Sequence, residues 1–373
     1  MNVGFDAKRL FLNNTGLGNY SRYVVNALLQ YKSNDHYFLF TPKININNRT
    51  EHYLDHPAIN IIQPNKLIQL PIINAWWRSA GIVHHSSFKN LDIYHGLSHE
   101  LPVNIPSHIK KFVTIHDLIF YRYPEFYQPI DVFIYKQKLK SACQRADKIM
   151  AISEQTASDL VSFLNIPANK IKVVYQGCHD QFRKITTNEE RNSIKAKYRL
   201  PEKFLLNVST VEERKNTLGL VKALARIPAS QRIPLLIVGR HTKYFKKVNA
   251  YIQSSGLTND VIFIDKVGFS ELPAIYQMAS AFIYPSIFEG FGIPLLEAAE
   301  SSIPIITSTG SCFKEAAGKD AVFVDPLNIN DLASAIIDMV INDQSERIRK
   351  QKEHARKFWP EHSANDITTF YQS

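Results

Sequence analysis

The chain has 373 residues, of which 45% are apolar and 21% charged, with a formal net charge of +10. This composition excludes a disordered, collagen-like or coiled-coil chain, and the length predicts two domains. We find no apolar run near the roughly 18 residues that a membrane-spanning helix requires. The three cysteines form no C-x-x-C pair, which argues against a disulfide framework and a cysteine zinc site. We expect a cytoplasmic protein whose first residues form a strand rather than a signal peptide.

The positive charge favours an anionic partner, but its distribution argues against nucleic acid. Nucleic-acid-binding proteins usually carry their basic residues in one stripe with interleaved aromatic residues. Here the basic excess is concentrated between residues 181 and 250, partly in a polar stretch, 178–202, that we expect to be a linker. We therefore expect no nucleic-acid partner.

In the first half of the chain, short β-rich runs alternate with helix-length amphipathic stretches. This alternation is typical of parallel βαβ units. Strands are predicted at 2–6, 37–41, 60–62, 92–95, 112–116, 148–152 and 172–174. The intervening helices include 19–30, 131–146 and 154–164, the last of them with Ser153 as its N-cap.

The alternation stops after Gly177 and starts again near residue 204. Strands are predicted at 204–208, 235–238, 261–264, 281–284, 304–307 and 321–324, with helices that include 218–225, 272–278 and 331–341. The sequence thus predicts an α/β fold of two doubly wound domains, residues 1–180 and 181–357. Ligands of such sheets bind beyond the carboxyl ends of the strands, so we expect function in a cleft between the domains.

The most informative segment spans residues 284–298, where a predicted strand ends and a loop with two glycines leads into a helix. Glycine lets the backbone approach a ligand closely, and Pro294 suits the first turn of a helix. The helix N-terminus offers free amide donors to an anion such as a diphosphate. Glu289 and Glu297 flank this turn and are placed to contact different parts of an extended ligand. The alternative is a tight turn with two surface glutamates.

This segment resembles the E-x7-E signature of retaining glycosyltransferases of family 4, which have the two-domain GT-B fold. The resemblance covers nearly the whole chain, with further matching blocks at 146–153, 171–177, 209–216 and 234–239. The ending, 358–373, is similar to the family's last helices, which cross back to complete the first domain. The resemblance implies two Rossmann-like domains, one on the acceptor side and one, 181–357, that binds the nucleotide sugar.

For the second domain, the resemblance implies a nucleoside-diphosphate-sugar donor. Glu297 would hydrogen-bond the ribose hydroxyls, and Glu289, as a catalytic residue, the hydroxyls of the transferred sugar. Arg214 and Lys215 would neutralise the diphosphate, on which negative charge grows as the glycosidic bond breaks. The alternative for these two cations is a solvated helix start. The loop between the glutamates would complete the donor site with Gly290, Phe291, Gly292 and Ile293.

In the first domain, residues 16–22 resemble the family's glycine loop. A loop of small residues that enters a helix can contact phosphate or acceptor, so Gly16 and Gly18 are predicted to bind the donor. Asn19 and Tyr20 follow them and are predicted on the acceptor side. The spacing is not the Rossmann G-x-G-x-x-G, and a purely structural turn is the alternative.

Two strand ends of the first domain carry histidines. The resemblance places His116 against the donor sugar, through its ring or its backbone carbonyl, with Asp117 supporting the loop; we count both as catalytic candidates. The alternative is a core histidine satisfied by Asp117. Tyr94 and His95, at the end of another strand, are predicted to line the acceptor side.

We expect neither a metal nor a resident cofactor. The five histidines of one region lie on different predicted elements and form no helical pair of metal ligands at i and i+4: His84, His85, His95, His99 and His116. The GT-B resemblance likewise implies catalysis without a divalent ion.

Two stretches predict contact with an anionic membrane surface, as expected if the acceptor is a lipid-linked glycan. Residues 70–78 combine aromatic and aliphatic side chains near Lys66 and Arg78. A first-domain helix and the residue positions just after it carry Lys136, Lys138, Lys140, Arg145 and Lys148. A buried helix with a solvated basic face is the alternative.

The sequence therefore predicts a retaining, metal-independent hexosyltransferase with a glycan or lipid-linked acceptor, peripheral to the inner face of the plasma membrane. Residues 208–216 and 116–120 resemble the mannosyltransferase branch of bacterial surface-polysaccharide synthesis (lipopolysaccharide or capsule), which favours GDP-mannose. The chain departs from the family at Ser209, where glycine is common. It also lacks the proline expected before Glu315, which leaves donor contacts of the 310–315 loop open. A GT-B sugar-nucleotide epimerase and a non-catalytic binder of sugar nucleotides or anionic polymers remain alternatives.

Overall fold

A computed structural model describes residues 1–32, 34–64 and 71–373. The chain divides into two compact units, Met1–Gly177 with Phe358–Ser373, and Cys178–Lys357. The change from the first unit to the second therefore comes three residues before the predicted boundary of 180 and 181. Lys66 and Leu70, which belong to the predicted membrane patch, lie outside the described residues.

The first unit is built on a seven-stranded parallel sheet. Its strands are β1 (Asn2–Asp6), β2 (His36–Phe40), β3 (Ile59–Ile62), β4 (Ile93–Gly96), β5 (Lys110–Ile115), β6 (Lys148–Ala151) and β7 (Ile171–Val173). They lie in the order β3-β2-β1-β4-β5-β6-β7, and Gly4 of β1 lies opposite Phe38 on one side and Tyr94 on the other. The strand order reverses at β1, which makes the β1–β4 pair the switch point of the sheet. The strands predicted for this half are confirmed.

Six helices precede the second unit in the described part of the first: α1 (Lys8–Leu12), α2 (Gly16–Tyr31), α3 (Pro71–Trp76), α4 (Ile119–Arg122), α5 (Pro129–Arg145) and α6 (Glu154–Leu164). Helix α2 buries Val24, Val25 and Leu28 on one face. Helix α6 begins where predicted, since the Ser153 hydroxyl accepts a hydrogen bond from the Thr156 N–H at 3.0 Å.

The second unit contains a six-stranded parallel sheet. Its strands are β8 (Leu205–Val208), β9 (Leu235–Val238), β10 (Val261–Ile264), β11 (Ala281–Tyr284), β12 (Ile305–Ser308) and β13 (Val322–Val324), in the order β10-β9-β8-β11-β12-β13. The switch point lies between β8 and β11. The predicted strands of this half are also confirmed, so the α/β prediction of two parallel, doubly wound sheets holds.

The helices of the second unit are α7 (Asn188–Tyr198), α8 (Thr217–Arg226), α9 (Phe245–Ser254), α10 (Leu272–Met278), α11 (Ile293–Glu300), α12 (Phe313–Ala317), α13 (Ile329–Ile341) and α14 (Ser345–Ala355). Helix α7 replaces the linker predicted over residues 178–202, so that prediction is wrong for 188–198. Thr187 and Glu190 form a capping box, with each side chain accepting the other's backbone N–H. The helix buries Ile194 alone, so its apolar periodicity is weak; the T-x-x-E spacing was the usable signal.

The last helix, α15 (Pro360–Gln372), packs on the first unit. Tyr23 Oη donates to the Phe358 carbonyl at 2.9 Å, and the Tyr371 ring stacks on Phe112 with centroids 5.5 Å apart. The chain end thus completes the first unit, as the resemblance implies. Within the described ranges, no helix combines the length and apolar character that crossing a bilayer requires.

Candidate functional site

In the second unit, three loops leave the carboxyl ends of neighbouring strands. The loop after β8 carries Arg214 and Lys215, the loop after β11 carries Glu289, and the loop after β12 carries Ser311. Because β8, β11 and β12 are adjacent in the sheet, these loops meet at one edge. This is where open parallel sheets bind their ligands.

Two cations hold the Glu289 carboxylate. Its Oε2 lies 2.8 Å from Arg214 Nη1, and its Oε1 accepts a hydrogen bond from Lys215 Nζ. Tyr284 Oη accepts from Lys215 Nζ at 2.9 Å and donates to Glu289 Oε1 at 3.1 Å. Glu289 is only 7% exposed, so these contacts form away from bulk water. We call Arg214, Lys215 and Glu289 the charged cluster.

The charged cluster keeps Glu289 ionised. Burial alone would raise the pKa of this carboxyl, but the charges and hydrogen bonds of Arg214 and Lys215 outweigh burial and hold the pKa at about 2. Burial lowers the pKa of Lys215, and Glu289 offsets that effect only in part. Burial also acts to lower the pKa of Arg214, but Glu289 and Glu212 together raise it.

The backbone of the Glu289 loop is tied to the loop after β8. Arg214 Nη1 donates to the Phe288 carbonyl at 2.7 Å, and the Ile287 N–H donates to the Arg214 carbonyl at 2.8 Å. Arg214 Nη2 also donates to Glu212 Oε1 at 2.8 Å. Arg214 therefore fixes both the carboxylate of Glu289 and the main chain beside it.

The predicted loop residues lie where the chain turns into α11. Gly290 and Phe291 are buried, and Gly292 has φ +95, a left-handed conformation that favours glycine. Ile293 is the first residue of the helix and Pro294 follows in its first turn.

Glu297 lies inside α11 and belongs to a separate group of side chains. It is 8% exposed, and its Oε2 accepts a hydrogen bond from Tyr276 Oη at 2.8 Å. Burial, and then the charge of Glu297, raise the pKa of Tyr276, which keeps that hydroxyl a donor. The structure thus brings Arg214, Lys215 and Glu289 together and fixes Glu297 through a different partner.

In the first unit, His116 lies in a buried hydrogen-bond network. Its Nε2 donates to the Leu97 carbonyl at 2.8 Å, and its backbone N–H donates to His99 Nε2 at 2.8 Å. Asp117 Oδ1 instead accepts from the Ile119 N–H at 3.2 Å, at the start of α4. The main-chain carbonyl of Leu97 is thus a hydrogen-bond partner of the His116 ring.

Burial lowers the pKa values of three histidines in this unit: to about 3 for His95 and His116, and to about 4 for His99. Desolvation is the main cause in each case. A positive charge on His116 would lower the pKa of His95 further, and one on His99 would do the same for His116. All three are therefore neutral at physiological pH. We call them the histidine cluster.

The predicted acceptor-side pair Tyr94 and His95 lies in the core. Tyr94 is 1% exposed and packs on Phe88, with ring centroids 5.2 Å apart. Both ring nitrogens of His95 have partners, Tyr371 Oη at 2.7 Å and Thr114 Oγ1 at 2.8 Å. Neither side chain is placed to line a binding surface, because a parallel sheet covered on both faces buries successive residues of its inner strands.

The glycine loop is also different from the prediction, since Gly16 and Gly18 lie in the first turn of α2. A Cβ at Gly18 would come within 1.7 Å of the Asn13 carbonyl oxygen, so close packing explains this glycine. Asn19 Oδ1 accepts from Arg22 at 2.7 Å and from Arg49 at 2.6 Å. Tyr20 is buried like the other core aromatic residues, and its hydroxyl lies 2.9 Å from Thr114 Oγ1.

Three basic residues of the predicted membrane patch have internal partners. Lys138 Nζ donates to Glu100 Oε1 at 3.1 Å. Arg78 forms ion pairs with Asp6 and, at 2.9 Å, with Glu100. Arg145 Nη2 donates to the Leu101 carbonyl at 2.9 Å. These two arginines therefore fix loops of the first unit.

Other parts of that patch are exposed. On α5, Lys140 is exposed. Two apolar residues outside the predicted patch, Ile130 and Phe133, lie about two to three turns before it on the same helix and are 65% and 61% exposed. Trp76, at the end of α3, is 59% exposed. The exposed apolar side chains lie next to lysines on the same helix, so α5 carries both components of an amphipathic surface.

Four residues of these sites have no role predicted from the sequence: Tyr284, Tyr276, Ser311 and His99. For Tyr284, the sequence feature that could have indicated a role is a hydroxyl at the last residue of a predicted strand. His99 has φ +63 and meets His116 only because two strand ends are neighbours, which no local pattern indicates. Within the described ranges, no three His, Cys, Asp or Glu side chains form a group that could hold a metal ion.

Two family models match the chain: Glycosyltransferase Family 4 over residues 15–182, and Glycosyl transferases group 1 over residues 188–358. The chain is similar to O-antigen chain mannosyltransferase B of Escherichia coli, at 27% identity over 67% of this chain and 66% of that protein. It is also similar to O-antigen chain mannosyltransferase RfbU of Salmonella typhimurium, at 28% identity over 62% of this chain and 61% of that one.

The serotype-specific mannosyltransferase WbdA of Escherichia coli matches at 28% identity over 71% of this chain, but over only 33% of its own length. The matched stretch thus spans from a third to just under two thirds of these relatives. Anabaena Alr3699/HepE, solved in complex with UDP-glucose, shares the fold with a TM-score of 0.77 at 16% identity, over 100% of this chain and 99% of that one. The chain therefore belongs to the family 4 and group 1 glycosyltransferases and has their GT-B fold.

Proposed function

We propose that this protein transfers a hexose from a nucleoside-diphosphate sugar to a hydroxyl of a glycan or lipid-linked glycan in surface-polysaccharide synthesis. The charged cluster is the observation that carries this proposal. Mannose from GDP-mannose is the favoured donor, since the relatives named above are mannosyltransferases.

The cations of the cluster suit a diphosphate. Arg214 offers a planar fork of donors and Lys215 a point charge, and both already bind an anionic group, the Glu289 carboxylate. A diphosphate carries more negative charge than one carboxylate, so it competes effectively for the same two cations. As the bond between sugar and diphosphate breaks, the growing negative charge is stabilised by these fixed positive groups.

The Glu289 carboxylate is suited to bind the hydroxyls of the sugar. An ionised carboxylate only accepts hydrogen bonds, and sugar hydroxyls can donate them. With a pKa of about 2, Glu289 does not serve as a proton donor near neutral pH. We assign it to the hydroxyls of the transferred hexose, and Glu297, oriented by Tyr276, to the ribose hydroxyls.

We further propose transfer with retention, without a metal ion. The acceptor hydroxyl attacks the face of the sugar from which the diphosphate departs. The bond from the anomeric carbon to the diphosphate oxygen breaks, the new bond to the acceptor oxygen forms, and the acceptor proton moves to the departing phosphate. Arg214 and Lys215 supply the positive charge that this step needs. His116, neutral through burial, is assigned to the donor sugar as a polar contact rather than as an acid.

The test is a transfer assay with GDP-mannose, UDP-glucose and their nucleotides, with NMR of the product anomer and a chelator control. We expect one nucleotide series to bind and its sugar to be transferred with the donor's anomeric configuration, with or without chelator. An inverted product or a loss of activity with chelator contradicts the mechanism. Isomerised donor without acceptor indicates an epimerase, and binding without turnover indicates a binding protein; either contradicts the proposed function.

We also propose that α5 docks on an anionic membrane surface, which brings the enzyme to a lipid-linked acceptor. The exposed apolar residues would enter the interface while the lysines face lipid phosphates. Sedimentation with phosphatidylglycerol vesicles tests this. Phe133→Ser should weaken binding, whereas Ile341→Ser, at an equally exposed apolar site of the second unit, should not. Equal binding of both variants, or no binding by the wild type, contradicts the proposal.

A further inference from the structure

A second loop braces the main chain that carries Glu289. The Ser311 hydroxyl, in the loop after β12, accepts from the Glu289 N–H at 3.4 Å and donates to the Glu289 carbonyl oxygen at 3.0 Å. Cys312 Sγ lies 3.2 Å from the same carbonyl oxygen and 3.1 Å from that of Phe291. Two consecutive side chains thus hold the main chain from Glu289 to Phe291.

The backbone of this loop is unusual where the contact forms. Gly310 and Ser311 have φ values of +80 and +46. Glycine adopts this left-handed region freely, whereas the Cβ of serine makes it unfavourable. Such a conformation persists where the surrounding contacts hold it, and it is frequent at functional sites. Here it directs the Ser311 hydroxyl at the main chain of Glu289.

We propose that Ser311, assisted by the buried thiol of Cys312, is a positioning residue that holds Glu289 for the donor sugar. The inference rests on the proposed function, because it assigns Ser311 a part in the same donor site. The two cations bind the Glu289 carboxylate, while Ser311 and Cys312 contact its main-chain carbonyl oxygen. Ser311 acts through Glu289, and the structure gives it no other role in the cluster.

Positioning matters here because the contact to sugar hydroxyls must be made in the transition state. A misplacement of about 1 Å by a residue away from the chemistry can cost a hundredfold in rate. Loss of the Ser311 hydroxyl, with the two cations still in place, should reduce the rate by less than a hundredfold. The loss should appear in kcat, since the cations and Glu297 still bind the nucleotide.

The test compares Ser311→Gly with Ser254→Gly, which removes an exposed hydroxyl at the end of α9. Glycine keeps the positive φ of residue 311, so the fold should persist while the hydroxyl is lost. With GDP-mannose and UDP-glucose as donors, we expect kcat of Ser311→Gly to fall about tenfold and KM to stay within about twofold. We also expect mass spectrometry to show Cys312 labelled about tenfold faster by a thiol reagent, because its partner loop opens more often.

Unchanged labelling of Cys312 in Ser311→Gly overturns the inference, whatever the activity, because no brace has then been removed. Faster labelling with a kcat equal to that of Ser254→Gly also overturns it, because the brace then has no part in catalysis. A wild-type protein that turns over no nucleotide sugar overturns the proposed function, and the role of Ser311 with it; the labelling difference distinguishes this failure from the absence of a brace.

Discussion

The two units bury titratable groups at the carboxyl ends of their strands in opposite ways. The second unit buries two cations against one carboxylate, which holds the pKa of Glu289 at about 2 and keeps it ionised. In the first unit, desolvation of the histidine cluster outweighs the nearby carboxylates Glu100 and Asp117, so these rings stay neutral, with pKa values of about 3 to 4. Burial thus gives opposite protonation outcomes, decided by whether the neighbouring charges and hydrogen bonds outweigh the desolvation of the group.

This difference supports the roles proposed above. A site of fixed charges suits a charged leaving group, whereas the neutral ring of His116 suits the uncharged hydroxyls of a sugar. It also implies that the units respond differently to mutation and to pH.

The largest effect is expected when one cation is removed. Lys215→Met leaves Glu289 buried with a single cation, so transfer should slow by about 10²- to 10³-fold. The free energy of unfolding of the second unit should fall by about 3 kcal/mol, since a buried partner is lost. Steady-state kinetics and thermal melting measure both. Lys197→Met, which removes an exposed lysine paired with Glu271 in the same unit, is the control; equal behaviour of the two variants contradicts the importance of the cluster.

The second-largest effect is expected at acid pH, which should destabilise the first unit before the second. The histidines have folded pKa values below the unfolded value of about 6.5, so the unfolded state takes up protons first as pH falls. Each histidine should cost the first unit about 2 kcal/mol at pH 5 relative to pH 8. The contribution of Glu289, whose folded pKa of about 2 lies below its unfolded value, is lost only as pH falls below about 4.5.

Hydrogen exchange resolved by peptide, at pH 8, 6 and 5, measures this difference. Protection of the first unit should fall well before that of the second. Simultaneous loss of protection in both units, or earlier loss in the second, contradicts the expectation that the histidine cluster makes the first unit the more acid-sensitive one.

A smaller effect is expected at the chain end. Tyr371→Phe removes the hydroxyl that pairs with His95 Nδ1 and leaves a buried ring nitrogen unpaired, which should cost the first unit about 1–2 kcal/mol. Thermal melting, together with hydrogen exchange of first-unit peptides, measures this loss of stability. Tyr31→Phe, at a half-exposed position of α2, should change nothing, and a Tyr371→Phe variant equal to it shows that the hydrogen bond is not stabilising.

The sequence predicted much of the fold because parallel strands and their helices have strong local periodicity. The resemblance to family 4 also selected Arg214, Lys215 and Glu289, and the structure brings these three side chains together. The prediction from sequence failed for α7, where polar residues mask a helix that its capping box begins.

The sequence could not place Tyr94 and His95, because long-range packing decides their burial. His95 is hydrogen-bonded to Tyr371, 276 residues away in the chain, and no local pattern predicts that contact. The pairing of Glu289 with both cations, and the contact of Ser311 behind it, likewise depend on three loops that only the sheet order brings together.

The most direct test of the account is calorimetric titration of GDP, UDP, GDP-mannose and UDP-glucose into the wild-type protein and Glu289→Gln. We expect one nucleotide to bind both proteins with similar affinity, because Arg214 and Lys215 remain. Its sugar conjugate should bind the wild type more tightly than the free nucleotide does, and Glu289→Gln should lose that advantage. A sugar conjugate with the same advantage in both proteins would contradict the assignment of Glu289 to the donor sugar.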